Sequence, residues 1–135
     1  MTVTKKRILY VDDNPDDCEL VKTYLGWESI DAVAVGTFAE ALSRAKSERF
    51  DLYLIDVSLP DGSGIELTLQ IRRFDSTTPI IFYSAHGLVP VIEKAMKAGA
   101  QKFVEKQIDL DDVVQTIKTY IGAKEIEVEH NKEGR

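Results

Sequence analysis

Five short apolar segments, separated by stretches with helical periodicity, constrain the fold of this chain more than any other feature. Each is apolar throughout, whereas a half-exposed strand would alternate apolar with polar side chains. The segments are Ile8–Val11, Ala32–Val35, Leu52–Ile55, Ile80–Tyr83 and Phe103–Val104. Continuous apolar strands that alternate with helices are typical of βαβ units, so the sequence predicts an α/β fold around a parallel sheet.

The intervening segments carry helix start and stop signals. Asn14 followed by Pro15 predicts a capped helix start, and this first helix is expected to end near Gly26. The other helices are placed at about Phe38–Glu48, after Ser63-Gly64, at about Leu88–Ala98 with a stop at Gly99, and from a capping Asp109 to Ile121. We expect one domain over residues 1–122 and a charged, disordered tail over residues 123–135, which lack a sustained apolar stripe.

The charge balance and the single cysteine limit the classes of function. Seventeen basic residues against 23 acidic ones give a net charge of −6, which argues against nucleic-acid binding through a basic face. Cys18 is the sole cysteine, so neither an internal disulfide nor an oxidising compartment is implied. No apolar run is long enough for a secretory signal or a membrane span. A cytoplasmic protein is therefore expected.

Acidic residues directly follow two of the predicted strands, at the edge where open parallel sheets bind their ligands. Asp56 comes after the third apolar segment and before a loop rich in Pro and Gly, and Asp12 and Asp13 follow the first segment. Carboxylate oxygens bind Mg²⁺, and a carboxylate can also act as a nucleophile. The three acids therefore predict a cation site that contains a nucleophile. Locally, acids before Pro15 also suit a helix start, and a strand-end acid can cap a loop.

These acids, together with Ser84-Ala85 after the fourth strand and Lys106 after the fifth, resemble the site of the receiver domain of two-component response regulators. The resemblance extends from about Lys6 to Ile121, and the polar residues occur in the family's order at the expected strand ends. It implies a flavodoxin-like, doubly wound parallel sheet of strand order 2-1-3-4-5 with helices on both faces.

The resemblance also implies the chemical roles of the site residues. Asp56 would accept a phosphoryl group from a donor histidine. Asp12 and Asp13 would hold Mg²⁺ or Mn²⁺ with Asp56 and the backbone carbonyl of Ser58. Lys106 would pair with Asp56 or with its phosphoryl oxygens as a point charge.

A second group of residues would tune and transmit phosphorylation. The hydroxyl of Ser84 would bind a phosphoryl oxygen, and the small Ala85 would leave room for phosphate to enter. Ser58 and His86 would tune the rate of dephosphorylation. Inward movement of Ser84 would favour an inward rotamer of Phe103, which changes the face formed by the fourth helix, the fifth strand and the fifth helix. Each residue also has an ordinary role: Phe103 as a core aromatic, His86 as an exposed loop residue.

Two positions depart from the family pattern. Gln107 stands where the family usually has a proline in a cis peptide after the lysine. Because a cis bond before another residue type costs about 2.5–4 kcal/mol, the Lys106–Gln107 bond is expected to be trans. Phe103 replaces a tyrosine, which removes a hydroxyl from the switch position.

Three functions compete on this sequence. The first is a single-domain response regulator, monomeric or weakly dimeric, that receives phosphate from a sensor histidine kinase or a histidine phosphotransfer protein and binds a downstream protein. A receiver excised from a longer protein is also compatible with the sequence. The second is an adaptor that keeps the fold without the phosphorylation switch. The third is an aspartyl-phosphate hydrolase, which would require a second acid where Ser58 stands.

Overall fold

The computed structural model describes residues 5–107 and 109–122. Five parallel strands form one sheet: β1 (Lys6–Val11), β2 (Ile30–Val35), β3 (Leu52–Ile55), β4 (Ile80–Ser84) and β5 (Lys102–Glu105). Five helices connect and follow them: α1 (Pro15–Trp27), α2 (Phe38–Ser47), α3 (Gly64–Arg72), α4 (Val89–Ala98) and α5 (Leu110–Ile121). The strand order is β2-β1-β3-β4-β5, which confirms the predicted doubly wound sheet.

Alternate residues of the central strands are buried on opposite faces of the sheet. On β1, Ile8 and Tyr10 pack with α1 and α5, whereas Leu9 and Val11 pack with α2, α3 and α4. All four side chains are fully buried. Helices cover both faces, which explains why the middle of each central strand is apolar.

The edge strands are longer than the apolar segments predicted. β2 begins at Ile30, two residues before the predicted start, and includes the exposed Asp31. β5 similarly includes the exposed Lys102 and Glu105 on either side of the predicted segment. A ladder requires only backbone hydrogen bonds, so charged side chains are tolerated where an edge strand faces solvent.

The predicted caps determine where the helices begin and end. The Asn14 side chain accepts hydrogen bonds from the first turn of α1, and Pro15 is its first helical residue. Asp109 caps α5 in the same way. Gly99 ends α4 with φ of 123°, a conformation that favours glycine. Each side-chain cap contributes about 1 kcal/mol. The predicted tail, residues 123–135, lies outside the described residues.

The register of the sheet aligns the strand ends that carry the polar residues. Val11 of β1 pairs with Ile55 of β3, so Asp12 and Asp56 leave the sheet side by side. Backbone hydrogen bonds continue past the strands, from the N–H of Asp12 to Val35 O at 3.0 Å and from the N–H of Asp56 to Val11 O at 2.9 Å. Among the described residues, no helix has the length and apolar character needed to cross a membrane.

Candidate functional site

A cleft of about 290 Å³ opens at the carboxyl ends of the strands. It is lined by the three predicted acids and Lys106, and by three predicted loop residues, Ser58, Ala85 and His86. Side chains from positions far apart in the sequence therefore meet at one sheet edge, as expected for an open parallel sheet.

The three acids form a group suited to a divalent cation. One oxygen from each of Asp12, Asp13 and Asp56 lies within 4.8 Å of the others. Asp12 and Asp56 are buried, and Asp13 is exposed. A few carboxylates with one side open to solvent fit Mg²⁺, which keeps several waters when it binds to proteins.

Buried hydrogen bonds orient Asp12. Tyr10, the next-to-last residue of β1, donates its hydroxyl to Asp12 Oδ2 at 2.5 Å, and the Asn14 N–H donates to Oδ1 at 2.9 Å. Burial and the hydrogen bond to Asp12 raise the pKa of Tyr10 well above its usual range. The phenol therefore remains a donor. Tyr10 lies within an apolar segment, so only its position two residues before Asp12 could have suggested this contact.

Backbone groups of the following loop and the close approach of Gly64 position Asp56. The Ser58 N–H approaches Asp56 Oδ1 at 3.4 Å, and Gly64 N–H donates to Val57 O at 2.7 Å. A Cβ atom at Gly64 would lie 2.1 Å from the Asp56 carbonyl oxygen. The loop that follows Asp56 therefore requires glycine where α3 begins.

Lys106 places its ammonium among the acids. Its Nζ lies 2.7 Å from Asp12 Oδ2, 3.1 Å from Asp56 Oδ2 and 2.7 Å from Asp17 Oδ2. Burial opposes the charge, but hydrogen bonds and attraction to these carboxylates outweigh it and raise the pKa of Lys106. Asp17 was not among the predicted site residues. The available signal was its place in the first turn of α1, which begins at the site.

The sequence model of the response regulator receiver domain matches residues 8–118. The chain belongs to this family. Receivers are signalling domains that act with histidine kinases or phosphotransfer proteins. The family assignment confirms the resemblance on which the site residues were chosen.

Curated relatives and solved structures extend this result. The response regulator protein PilR of Pseudomonas aeruginosa is 34% identical over 127 residues, which cover 94% of this chain and 28% of PilR. The polar-differentiation response regulator DivK of Brucella anthropi is 28% identical over 119 residues, covering 87% of this chain and 97% of DivK. A receiver domain structure from Methanospirillum hungatei has a TM-score of 0.85 at 27% identity, covering 92% of this chain and 99% of that one.

Two predicted switch residues of this receiver lie outside the cleft lining. Ser84 is fully buried, and its Oγ accepts a hydrogen bond from the His86 N–H at 3.2 Å. Phe103 is half-buried and stacks on Phe82, with ring centroids 5.9 Å apart and an interplanar angle of 5°. A hydroxyl that accepts one hydrogen bond still has its own O–H to donate, so this contact does not use the Ser84 donor. Ala85 and His86 are exposed beside the cleft.

The Lys106–Gln107 peptide, which follows β5 beside the cleft, is trans, as predicted, since no cis peptide occurs in the described part of the chain.

The loop between β3 and α3 is attached to α2 through Asp61. The Asp61 side chain accepts hydrogen bonds from the N–H groups of Phe38 at 2.7 Å and Ala39 at 3.1 Å. These two bonds lower the pKa of Asp61. Asp61 therefore ties the loop after Asp56 to the start of α2, where Thr37 is the N-cap, and the local sequence does not indicate this contact.

Proposed function

We propose that this receiver accepts a phosphoryl group on Asp56 from a sensor histidine kinase or a histidine phosphotransfer protein, with Mg²⁺ or Mn²⁺ as cofactor. The observation that carries the proposal is the grouping of the Asp56 carboxylate, two further carboxylates and the Lys106 ammonium in one open cleft. The matched family supplies the donor class.

The chemistry is a transfer between two nucleophiles. An Asp56 oxygen attacks phosphorus, the bond from phosphorus to the donor histidine nitrogen breaks, and that nitrogen keeps the electron pair. The product is an acyl phosphate. In its hydrolysis, water attacks phosphorus, the bond to the Asp56 oxygen breaks, and inorganic phosphate leaves with the carboxylate restored. A divalent cation held by Asp12, Asp13, Asp56 and the Ser58 carbonyl would supply positive charge to the phosphoryl oxygens.

The remaining site residues position the reaction. Lys106 neutralises charge on the phosphoryl oxygens, and Ser84 moves inward to donate its hydroxyl to one of them. Ala85 leaves space for the group to enter, and Ser58 and His86, both beside the cleft, tune attack by water. The rearrangement of Ser84 changes the packing of Phe103, which links the site to β5.

The output is a change in protein binding, which we place on the face formed by α4, β5 and α5. Leu88 and Val89, at the start of α4, are 71% and 67% exposed, and exposed apolar side chains of this kind favour protein contact. The receiver unit comprises residues 1–122. We place the protein in the cytoplasm, where the histidine donor is phosphorylated, and assign it a monomeric or weakly dimeric state.

Labelling by a small phosphodonor with Mg²⁺ tests the phosphoacceptor. Asp56→Asn should abolish incorporation, while Asp16→Asn, which removes an exposed acid near the cleft, should retain it. Label that persists on Asp56→Asn would place the acceptor elsewhere. Beryllofluoride, a phosphoryl mimic, should shift backbone amide signals at Ser84 and Phe103. Shifts confined to the residues that line the cleft would favour a receiver without a switch.

A further inference from the structure

Asp17 contacts the site although nothing in helix capping requires it to do so. It lies in the first turn of α1, where Asn14 already supplies the cap by accepting hydrogen bonds from the N–H groups of Asp16 and Asp17. The Asp17 carboxylate instead extends to Lys106, 89 residues away in the sequence, with Oδ2 2.7 Å from Nζ. This contact is shorter than the 3.1 Å contact between Lys106 and Asp56.

Lys106 has as many close acceptors as it has hydrogen-bond donors. An ammonium has three N–H donors and no acceptor. Three carboxylate oxygens, from Asp12, Asp17 and Asp56, lie within 3.1 Å of Nζ and can occupy all three donors. Phosphorylation passes the Asp56 contact to a phosphoryl oxygen, so a further phosphoryl oxygen can bind Lys106 only if Asp12 or Asp17 is released.

The three carboxylates differ in what their release would cost. The Asp12 side chain is 0% exposed and is fixed by hydrogen bonds from Tyr10 and Asn14, so it cannot turn away from Lys106 toward solvent. The contact of Asp56 passes to the phosphoryl group that it carries. The Asp17 side chain is 28% exposed, so water can solvate it after it separates from Lys106. Asp17 is therefore the contact that is released at least cost.

We propose that Asp17 is a positioning residue that restrains Lys106 in the unphosphorylated receiver and is exchanged for a phosphoryl oxygen when Asp56 is modified. This inference rests on the phosphoacceptor function proposed above. Because Asp17 and the phosphoryl group compete for one donor, Asp17 lowers the affinity of the site for a phosphoryl group. The carboxylate thus sets how readily the receiver enters its phosphorylated state.

Titration with beryllofluoride in saturating Mg²⁺, followed by amide signals near Asp56, tests the exchange. In Asp17→Asn, the half-saturating beryllofluoride concentration should fall about five-fold, because a partly exposed ion pair no longer competes for Lys106. Asp16→Asn is the matched control, since it removes the same charge from the same helical turn. Its half-saturating concentration should stay within about two-fold of wild type. Asp17→Glu, which retains the carboxylate, should remain closer to wild type than Asp17→Asn.

The direction of the change separates exchange from a structural effect. A variant with a disturbed fold would bind beryllofluoride more weakly, the opposite of the expected gain. If the wild type responds and Asp17→Asn matches wild type or Asp16→Asn, the exchange is overturned while the phosphoacceptor function stands. If neither wild type nor Asp16→Asn responds near Asp56, the phosphoacceptor function fails and the exchange fails with it.

Discussion

The two ends of the sheet differ in the balance of acidic and basic side chains. At the amino ends of the strands, Glu48 accepts hydrogen bonds from Arg7 at 3.0 Å and from Arg44 at 2.7 Å, so one carboxylate has two cationic partners. At the carboxyl ends, Asp12, Asp17 and Asp56 all contact Lys106, and Lys106 is their one ion-pair partner within the described residues. Cationic and acidic side chains are matched at the first end, where Arg7 also contacts Asp31 at 3.5 Å, and acids exceed cations at the second.

Neutral donors complete the balance at the amino ends. Asp75, just before β4, accepts hydrogen bonds from the N–H groups of Thr77 at 3.2 Å and Thr78 at 3.0 Å. The buried Tyr53 hydroxyl donates to the same carboxylate at 3.3 Å. Arg72 donates to the carbonyl oxygen of Gly99 at 2.8 Å. These groups satisfy one another, which is expected of residues that stabilise a fold. At the other end, the excess of acids favours the binding of a cation and lowers the stability of the metal-free fold.

Lys106→Ala should have the largest effect on stability, because it leaves the buried Asp12 without its ion pair. The free energy of unfolding in urea with EDTA should fall by about 3 kcal/mol, and saturating Mg²⁺ should restore part of the loss. Lys118→Ala is a control, since its ion pair with Glu28 at 2.8 Å is partly exposed and should contribute at most about 0.5 kcal/mol. Equal losses in the two variants would contradict the proposed imbalance.

Asp75→Ala should destabilise the opposite end independently of metal. The variant removes the acceptor of the buried Tyr53 hydroxyl and of two backbone N–H groups, at a cost of about 2 kcal/mol. Asp75→Asn keeps one accepting oxygen and should lose less. Urea unfolding should give the same difference from wild type with Mg²⁺ and with EDTA. A loss that Mg²⁺ reduces would show that the two ends are energetically coupled.

Asp13→Asn should change the sign of its effect with metal. In EDTA the variant should gain about 1 kcal/mol of stability, because it removes one of several crowded negative charges. In saturating Mg²⁺ the wild type should be the more stable protein, since a ligand that binds the folded state stabilises it according to its affinity. Calorimetric titration should show weaker Mg²⁺ binding by the variant. A variant less stable in both conditions would argue against charge repulsion at this end.

The fold could be predicted because its evidence is periodic and local. Apolar segments located the three central strands to within about two residues, and the Asn14, Asp109 and Gly99 signals located helix ends. The acids and Lys106 could be found for a related reason. Residues that directly follow parallel strands emerge at one edge of the sheet, whatever their separation in sequence.

What the sequence could not predict depends on side-chain direction. Asp17 lies within a helix, and whether its carboxylate reaches Lys106 depends on how α1 packs on the sheet. The bond from the Ser84 hydroxyl to a phosphoryl oxygen stays a prediction, and the hydrogen bond that the same oxygen accepts from the His86 N–H is a contact that residue order does not reveal. The local sequence indicates only a turn residue at Asp61, within a Pro/Gly-rich loop. Its contact with α2 depends on the tertiary fold.

Substitution of Asp61 is expected to have the smallest effect on stability. The Asp61 carboxyl makes part of the free energy of unfolding depend on pH. The N–H groups of Phe38 and Ala39 lower the pKa of its carboxyl in the folded state. A lowered pKa means that the stabilisation is complete above the unfolded-state pKa and is lost as the pH falls below about 4. Urea midpoints of wild type and Asp61→Asn should therefore differ more at pH 7 than at pH 3, because the wild type alone loses this contribution in acid. Asparagine also retains an acceptor oxygen, so the difference at pH 7 should stay below that for Asp61→Ala. A constant difference between wild type and Asp61→Asn across this pH range would show that the two backbone bonds do not depend on the charge of Asp61.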